Sequence, residues 1–246
     1  MKNKIKILIL GCVLLFFQQN CPAGEPDDSN AQISNIIGKL NQTAGNLKNL
    51  TAKIEYTHAQ PLFETQTVRT GKVFYIKDTN SSALRINFLT IKQDQAAEQN
   101  YREDYIFDGR KMTKIDYQAK SATSEQLVKD KPIEPFELVQ SYFPIIGFAK
   151  PDELAQQFDI KLQQKTDKQN FNTFLLVPKE ISGFFKIYKQ VEIKIDSKNF
   201  LPFDFSALTC EDEKITIKLF QIDTSAAVKK DVFDIAIPAD FVQTQK

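Results

Sequence analysis

Short segments in which apolar and polar residues alternate follow one another from residue 51 almost to the C-terminus. A period of two predicts β-strands with one buried face. Asp108-Gly109 lies between two of the segments and predicts a hairpin, because glycine readily adopts the positive φ that such a turn needs. Ten segments and a shorter eleventh follow the pattern: 52–56, 72–77, 84–90, 104–108, 112–117, 158–163, 173–177, 190–195, 202–208, 215–222 and 232–237.

This pattern predicts a mainly β (α+β) fold, with about 10–11 strands in a strongly curved, barrel-like antiparallel sheet. Exposed sheet edges invite pairing with other chains, so we expect the sheet to close or to be covered. One short helix is predicted to end at Pro144 and another to begin at Pro151. A long N-terminal helix is predicted by an apolar stripe at spacings of three, four and seven: Ile33, Ile36, Ile37, Leu40, Leu47 and Leu50.

The first 23 residues predict a secretory signal peptide. Lys2, Lys4 and Lys6 precede an uncharged apolar run over 7–17, which is shorter than the roughly 20 residues that span a bilayer. Ala23 is a small residue at a position suited to cleavage. We therefore expect a periplasmic protein whose mature part, 24–246, is one domain. Cys12 and Cys21 lack the sequence context of a lipoprotein signal, which disfavours lipidation without excluding it.

The mature chain offers little for enzyme chemistry. Removal of the leader leaves 29 basic and 31 acidic side chains, and this near balance argues against nucleic acid as a main partner. His58 is the sole histidine and Cys210 the sole remaining cysteine, so no second imidazole or thiolate is present to build a metal site or activate a nucleophile. We expect no enzyme activity, no cofactor and no metal.

The apolar residues of the strands supply candidates for the interior of the sheet. Alternation alone does not distinguish a hollow barrel from an ordinary packed core, and for the residues taken by themselves the packed core is favoured. The candidate inward side chains are Phe74, Ile76, Ile86, Phe88, Val191, Ile193, Phe203, Phe205 and Ile217.

The order of these features resembles the LolA-like family, the periplasmic carriers of outer-membrane lipoproteins. After the leader and first helix, the matching segments span nearly the whole mature chain. They are Leu-Thr-Ala-Lys-Ile-Glu-Tyr at 50–56, Gly-Lys-Val-Phe-Tyr-Ile-Lys at 71–77, Leu-Arg-Ile-Asn-Phe at 84–88, Tyr-Ile-Phe-Asp-Gly-Arg-Lys-Met at 105–112, Leu-Leu-Val-Pro-Lys at 175–179, Val-Glu-Ile-Lys-Ile-Asp at 191–196 with Leu201-Pro202, and Val-Phe-Asp to Ile-Pro at 232–238.

The resemblance implies an incomplete β-barrel that binds the acyl chains of a lipoprotein or another lipid beneath a lid of helices. It also implies a monomer that receives its cargo from an inner-membrane ABC-type releasing complex and delivers it to an outer-membrane acceptor. The nine candidate inward residues would then line the lipid cavity. The implied lid residues are Ile33, Ile37, Leu40, Leu138, Val139, Phe143, Ile145 and Ile146.

One position departs from the family's pattern. The family carries Arg-Pro on an early strand, where this chain has Lys77-Asp78-Thr79-Asn80, and Arg85 matches a different family position. Arg85 remains a possible polar contact for the cargo. Two alternatives stay open at this point: a sensor or interaction module of the same fold with a packed interior, and a lipidated acceptor at the outer membrane.

Overall fold

The computed structural model describes residues 28–78, 81–128, 132, 134, 151–163 and 169–246. The predicted signal peptide and the predicted lid residues Leu138, Val139, Phe143, Ile145 and Ile146 lie outside these residues. Helix α1 spans Asp28–Asn46 and helix α2 spans Pro151–Gln157. Short 3₁₀ turns occur at Pro61–Phe63 and Lys230–Phe233. No helix in the described ranges is long and apolar enough to cross a membrane.

Twelve strands of the described chain form a single sheet. In chain order they are β1 Asn49–Gln60, β2 Thr65–Lys77, β3 Ser82–Gln93, β4 Gln99–Phe107, β5 Lys111–Asp116, β6 Ser121–Gln126, β7 Phe158–Leu162, β8 Phe171–Pro178, β9 Tyr188–Asp196, β10 Pro202–Thr209, β11 Lys214–Asp223 and β12 Val242–Gln245.

The order of the strands shows an open barrel. It runs β12-β6-β5-β4-β3-β2-β1-β11-β10-β9-β8-β7, and every pair is antiparallel except β12 with β6, which is parallel. The end strands β7 and β12 do not pair with each other, so the sheet does not close. The predicted fold class, an incomplete and curved antiparallel barrel preceded by a long helix, is confirmed.

The strand prediction needs three corrections. Residues 232–237 are not a strand, because Lys230–Phe233 forms a 3₁₀ turn and 234–241 is irregular. Strands β6 and β12 were missed, since Ser-Ala-Thr-Ser-Glu-Gln and Val-Gln-Thr-Gln contain almost no apolar side chains. They join the sheet mainly through main-chain pairing, which carries no hydrophobic pattern.

A bulge bends the sheet between β2 and β3. Gly71 lies opposite Phe88 while the preceding Thr70 lies opposite Thr90, so Leu89 is an extra residue on β3. The pairing of β3 with β4 also breaks after Phe88. A Cβ atom on Gly71 would lie 2.0 Å from the carbonyl oxygen of Asn87, so the close approach requires glycine. Bulges of this kind bend a strand and increase its twist.

One buried cluster joins α1 to the sheet. Ile33, Ile36 and Ile37 of α1 are buried together with apolar side chains from β1–β4 and β7–β11, and Leu40 packs against them partly buried. The face of the sheet that carries this cluster is called the inner face below. The helix ends earlier than its apolar stripe predicted, because α1 stops at Asn46 and Leu50 already belongs to β1.

The C-terminal segment, residues 224–246, covers part of the opposite, outer face. Asp104 on β4 is fully buried and accepts hydrogen bonds from Nε of Arg85 at 2.8 Å and from Asn87 at 2.8 Å. Arg85 also donates through Nη1 to the carbonyl oxygen of Val232 at 2.7 Å. Lys230 forms an ion pair with Asp78 at 2.8 Å. These contacts attach the segment to the back of β3 and β4.

Candidate functional site

A cavity of about 230 Å³ opens on the inner face between strands β1–β4 and β11. Most of its wall is apolar or aromatic, and charged or polar side chains stand at one side and at the mouth. An apolar cavity of this kind surrounded by a few polar groups is the usual form of a small-ligand site. The lining residues are Ile54, Tyr56, His58, Thr67, Arg69, Ile86, Phe88, Tyr105, Phe107 and Ile217.

Strand register brings these residues together. On β1 and β2, Tyr56 lies opposite Arg69 and His58 lies opposite Thr67. On the other side of β1, Ile217 of β11 also pairs with Tyr56. Directly paired residues share a face of the sheet, so alternate residues of neighbouring strands line one wall. Ile54 lies at the buried end of this wall and His58 at the partly exposed end.

Three aromatic rings form the middle of the cavity. The ring of Phe88 meets Tyr56 edge-on at a centroid distance of 6.2 Å and Tyr105 at 6.3 Å. Burial raises the pKa of both Tyr56 and Tyr105 above the ordinary value, and the negative charge of Glu103 raises that of Tyr105 further. Both hydroxyls therefore stay uncharged at neutral pH, and this part of the wall carries no formal charge.

A buried carboxylate anchors the charged side of the cavity. Glu103 on β4 is 1% exposed, and its two oxygens lie 2.7 Å from Nη1 of Arg69 and 2.7 Å from Nζ of Lys114. Burial works to lower the pKa of Lys114, but its hydrogen bond with Glu103 and nearby negative charge outweigh this and raise it. Two cations thus surround one carboxylate, as the burial of a charge requires.

A hydrogen-bonded group of side chains lies at the mouth of the cavity, which is the partly exposed end beside His58. The carboxylate of Glu213 accepts a hydrogen bond from the side chain of Gln60 at 2.6 Å, and its other oxygen lies 2.8 Å from Nε2 of His58. The bonds from Gln60 and then His58 lower the pKa of Glu213. This arrangement occupies the sole histidine. In the part of the chain that the structure describes, no group of three or more His, Cys, Asp or Glu could hold a metal ion.

The model of a family described as the outer membrane lipoprotein carrier protein LolA matches residues 95–236, which is more than half of the chain. The chain belongs to the LolA family. No curated protein matches this LolA-family chain in sequence.

Solved structures share the fold of this LolA-family chain. An uncharacterized conserved protein from Thermus thermophilus aligns with a TM-score of 0.52 and 10% identity, over 88% of this chain and 99% of that one. MucB aligns with a TM-score of 0.53 and 15% identity, over 86% of this chain and 66% of that one. The chain thus spans just under two thirds of the MucB chain. At such identities the likeness concerns the fold alone.

The structure brings six of the nine predicted cavity residues onto the inner face of the LolA-family barrel. Ile86, Phe88 and Ile217 line the cavity itself. Val191 and Phe205 belong to the buried cluster, and Ile193 packs against it. The sequence left open whether the interior is packed or hollow. The inner face is packed in one part and hollow in another. Binding of lipid by these residues stays a prediction.

Three predicted cavity residues lie elsewhere. Phe74 and Ile76 face the outer side of the sheet, because the inward side chains of β2 are those of the odd-numbered residues, such as Thr67 and Arg69. Ile76 lines a separate groove beneath the C-terminal segment. Phe203 occupies an irregularity in the pairing of β9 with β10, and its ring packs against Phe171.

Arg85 is also placed away from the cavity. Its guanidinium bonds to the buried Asp104 and to the main chain of Val232 on the outer face. The structure therefore shows Arg85 in a structural role, attaching the C-terminal segment, and not beside the cavity.

The sequence prediction missed several residues of the cavity wall and of its charged side. Arg69 lies in Thr-Gln-Thr-Val-Arg-Thr at 65–70, which has no apolar alternation and was not predicted as a strand. Tyr56 and His58 follow Ile54 at a spacing of two. Extending the alternation along β1 would therefore have predicted that both face inward. Glu103 gave no signal, because nothing in a single sequence distinguishes a buried carboxylate from the common exposed one.

Proposed function

We propose that this chain binds an acyl chain of a lipoprotein, or of another lipid, in the inner-face cavity and carries it through the periplasm toward the outer membrane. The observation that carries the proposal is the apolar cavity of about 230 Å³ in a LolA-family fold. Burying each methylene group contributes roughly 0.8 kcal/mol, so six of them contribute about 5 kcal/mol without any reaction chemistry.

The size of the cavity suits part of an acyl chain. An apolar cavity of about 150 Å³ is already large enough to take up benzene, and this one is larger. The walls formed by Ile54, Phe107 and Ile217 are almost completely buried, so a chain that enters from the side of His58 exchanges water for hydrocarbon contacts. The aromatic rings of Tyr56 and Phe88 add contact area midway.

Transfer of a cargo requires contact with a donor and an acceptor. We expect an inner-membrane ABC-type releasing complex as the donor, an outer-membrane acceptor, and a carrier that acts as a monomer. The hairpin between β1 and β2 supports this expectation, because Leu62 is 83% exposed and Phe63 is 67% exposed at its tip, a few residues beyond His58. Exposed apolar side chains beside a cavity mouth are typical of interaction sites.

The first experiment asks whether lipid is bound at all. The mature protein, expressed with its own leader and purified from the periplasm, is extracted and analysed by mass spectrometry for acylated material. A fluorescent fatty-acid probe is then titrated into the delipidated protein. Retained acyl species and saturable probe binding are the expected results. A delipidated, folded protein that binds no probe contradicts the proposal and favours the packed sensor module.

A matched pair of variants locates the site. Phe88→Glu introduces a charge into the cavity wall, whereas Phe220→Glu introduces the same charge on an exposed part of β11. We expect probe binding to fall at least tenfold in Phe88→Glu and to be unchanged in Phe220→Glu. Circular dichroism follows folding: a wet cavity solvates the new charge, whereas a packed interior unfolds. Unaltered probe binding by folded Phe88→Glu contradicts this site.

A further inference from the structure

One donor in the cavity wall lacks a partner. The Nε atom of Arg69 is buried and makes no hydrogen bond to any described residue, although Nη1 of the same side chain donates to Glu103 at 2.7 Å. A buried donor without an acceptor is unfavourable, and native proteins leave few of them. Arg69 also lines the cavity. The Arg69 side chain as a whole is 27% exposed, so a ligand acceptor in the cavity can reach the outer part of its guanidinium.

The chemistry of Arg69 favours an anionic acceptor. Glu103 and Asp116 balance the charges of Arg69 and Lys114, but Asp116 is bound by the hydroxyl of Tyr101 and by the main chain of Ala119 and Gln118. The nearest acid at the mouth, Glu213, already accepts hydrogen bonds from Gln60 and His58. A guanidinium presents its N–H groups in a planar fork that matches a carboxylate or a phosphate.

The position of Arg69 fits a molecule with two different ends. Arg69 pairs with Tyr56, which lies midway between Ile54 at the buried end of the cavity and His58 at the mouth. From Ile54 to His58, β1 extends over about 13 Å at roughly 3.3 Å per residue. An acyl chain can therefore occupy the buried end while its head group remains next to Arg69, on the side that reaches water.

From this arrangement we infer that the ligand is an anionic amphiphile, with an acyl chain in the cavity and a carboxylate or phosphate head group bound by Arg69. The inference rests on the proposed lipid-binding function and specifies the class of lipid. Arg69 then determines specificity, because an uncharged lipid of the same length offers its guanidinium no charged acceptor.

The experiment compares three ligands with the same sixteen-carbon chain, namely palmitate, hexadecyl phosphate and hexadecanol. Each displaces a fluorescent probe from the delipidated mature protein at concentrations below micelle formation. We expect at least one anion to bind about tenfold or more tightly than the alcohol, as a charged hydrogen bond predicts. The tighter anion identifies the head-group chemistry. Equal affinity for all three overturns the inference but not lipid binding, whereas no binding of any overturns the proposed function.

A matched pair of variants separates Arg69 from net charge. Arg69→Gln removes one cation from the cavity wall and leaves Glu103 paired with Lys114. We expect it to bind hexadecanol within about twofold of the wild type and to lose the preference for anions. The control Lys72→Gln removes one cation from the exposed side of the same strand, changes the net charge equally and should keep the preference. An Arg69→Gln protein that keeps the preference overturns the role of Arg69.

Discussion

Arg69 on β2 and Glu103 on β4 form an ion pair across the intervening strand β3, with Nη1 and Oε2 2.7 Å apart. The pair passes beside Phe88, whose ring centroid lies 6.0 Å from the guanidinium carbon of Arg69. It thus connects three strands at the bend of the sheet and forms one side of the cavity. Charge and shape of the site depend on the same residues.

Glu103→Gln should destabilise the fold and increase the affinity for anionic lipids. The substitution leaves Arg69 and Lys114 without their carboxylate, although both cations are partly exposed and can reach water. We expect a loss of about 1–3 kcal/mol in the free energy of unfolding, measured by urea denaturation. Glu55→Gln, which removes one partner of a half-exposed pair with Lys218, should change it by about 0.5 kcal/mol or less. Equal losses in the two variants would contradict the structural role of Glu103.

The hollow and the packed parts of the inner face should respond differently when an isoleucine side chain is enlarged to phenylalanine. Ile217→Phe adds volume where the cavity lies, so we expect a change of less than about 1 kcal/mol in the free energy of unfolding. Ile195→Phe adds the same volume where the buried cluster is closed, and we expect a loss of about 1–3 kcal/mol. Thermal and urea denaturation measure both.

Probe titration completes this comparison. Ile217→Phe should weaken the binding of a fatty-acid probe about tenfold or more, because the new ring occupies space that the acyl chain needs. Ile195→Phe, if folded, should bind the probe as the wild type does. Strong binding by Ile217→Phe would mean that the acyl chain lies elsewhere.

The sequence predicted most strands and only part of the site, for a physical reason that β2 illustrates. Val73, Phe74, Tyr75 and Ile76 are four consecutive apolar residues, so either alternate pair could face inward. The structure selects Val73 and Tyr75, both buried. Their neighbours on β1 decide the matter, since Val73 pairs with Ala52 and Tyr75 with Leu50. The local pattern of apolar residues cannot predict this pairing, because the partners are distant in the sequence.

The presence of a cavity in the interior was even harder to predict from the sequence. Phe88 and Phe205 have the same residue type, face inward and belong to the same buried cluster, yet Phe88 lines the cavity and Phe205 does not. The difference depends on what lies opposite each ring in three dimensions. Phe88 precedes Leu89, the extra residue of the bulge between β2 and β3, and the bend at this bulge leaves no periodic pattern in the sequence.

Gly71→Ala should be one of the most damaging small substitutions in the chain. The added methyl group would lie 2.0 Å from a carbonyl oxygen and 2.8 Å from Cα of Phe88, both main-chain atoms of β3 that cannot turn aside. We expect a loss of about 2–4 kcal/mol in the free energy of unfolding. Gly38→Ala on the exposed side of α1 meets nothing within 4 Å and should stabilise by about 0.5–1 kcal/mol. A tolerated Gly71→Ala would contradict the close approach of β2 and β3.

Asp116, at the end of β5, should contribute to stability only above strongly acidic pH. Partial burial works to raise the pKa of this carboxyl group, but hydrogen bonds from the main chain of Ala119, the hydroxyl of Tyr101 and the main chain of Gln118 outweigh it and lower the pKa from its ordinary 3.8. A pKa that is lower in the folded state means that the unfolded chain takes up the proton first. The stabilisation is therefore complete above pH 3.8 and disappears as the pH falls through the lower, folded-state value.

Asp116→Asn removes this titration while keeping the size of the side chain. The gap in unfolding free energy between wild type and Asp116→Asn should be constant from pH 7 to about pH 5 and should shrink as the pH falls toward 2. Urea denaturation at each pH measures it, with Asp240→Asn as an exposed control whose ion pair with Lys120 contributes little. A gap that does not change with pH would show that the hydrogen bonds of Asp116 do not favour its charged form.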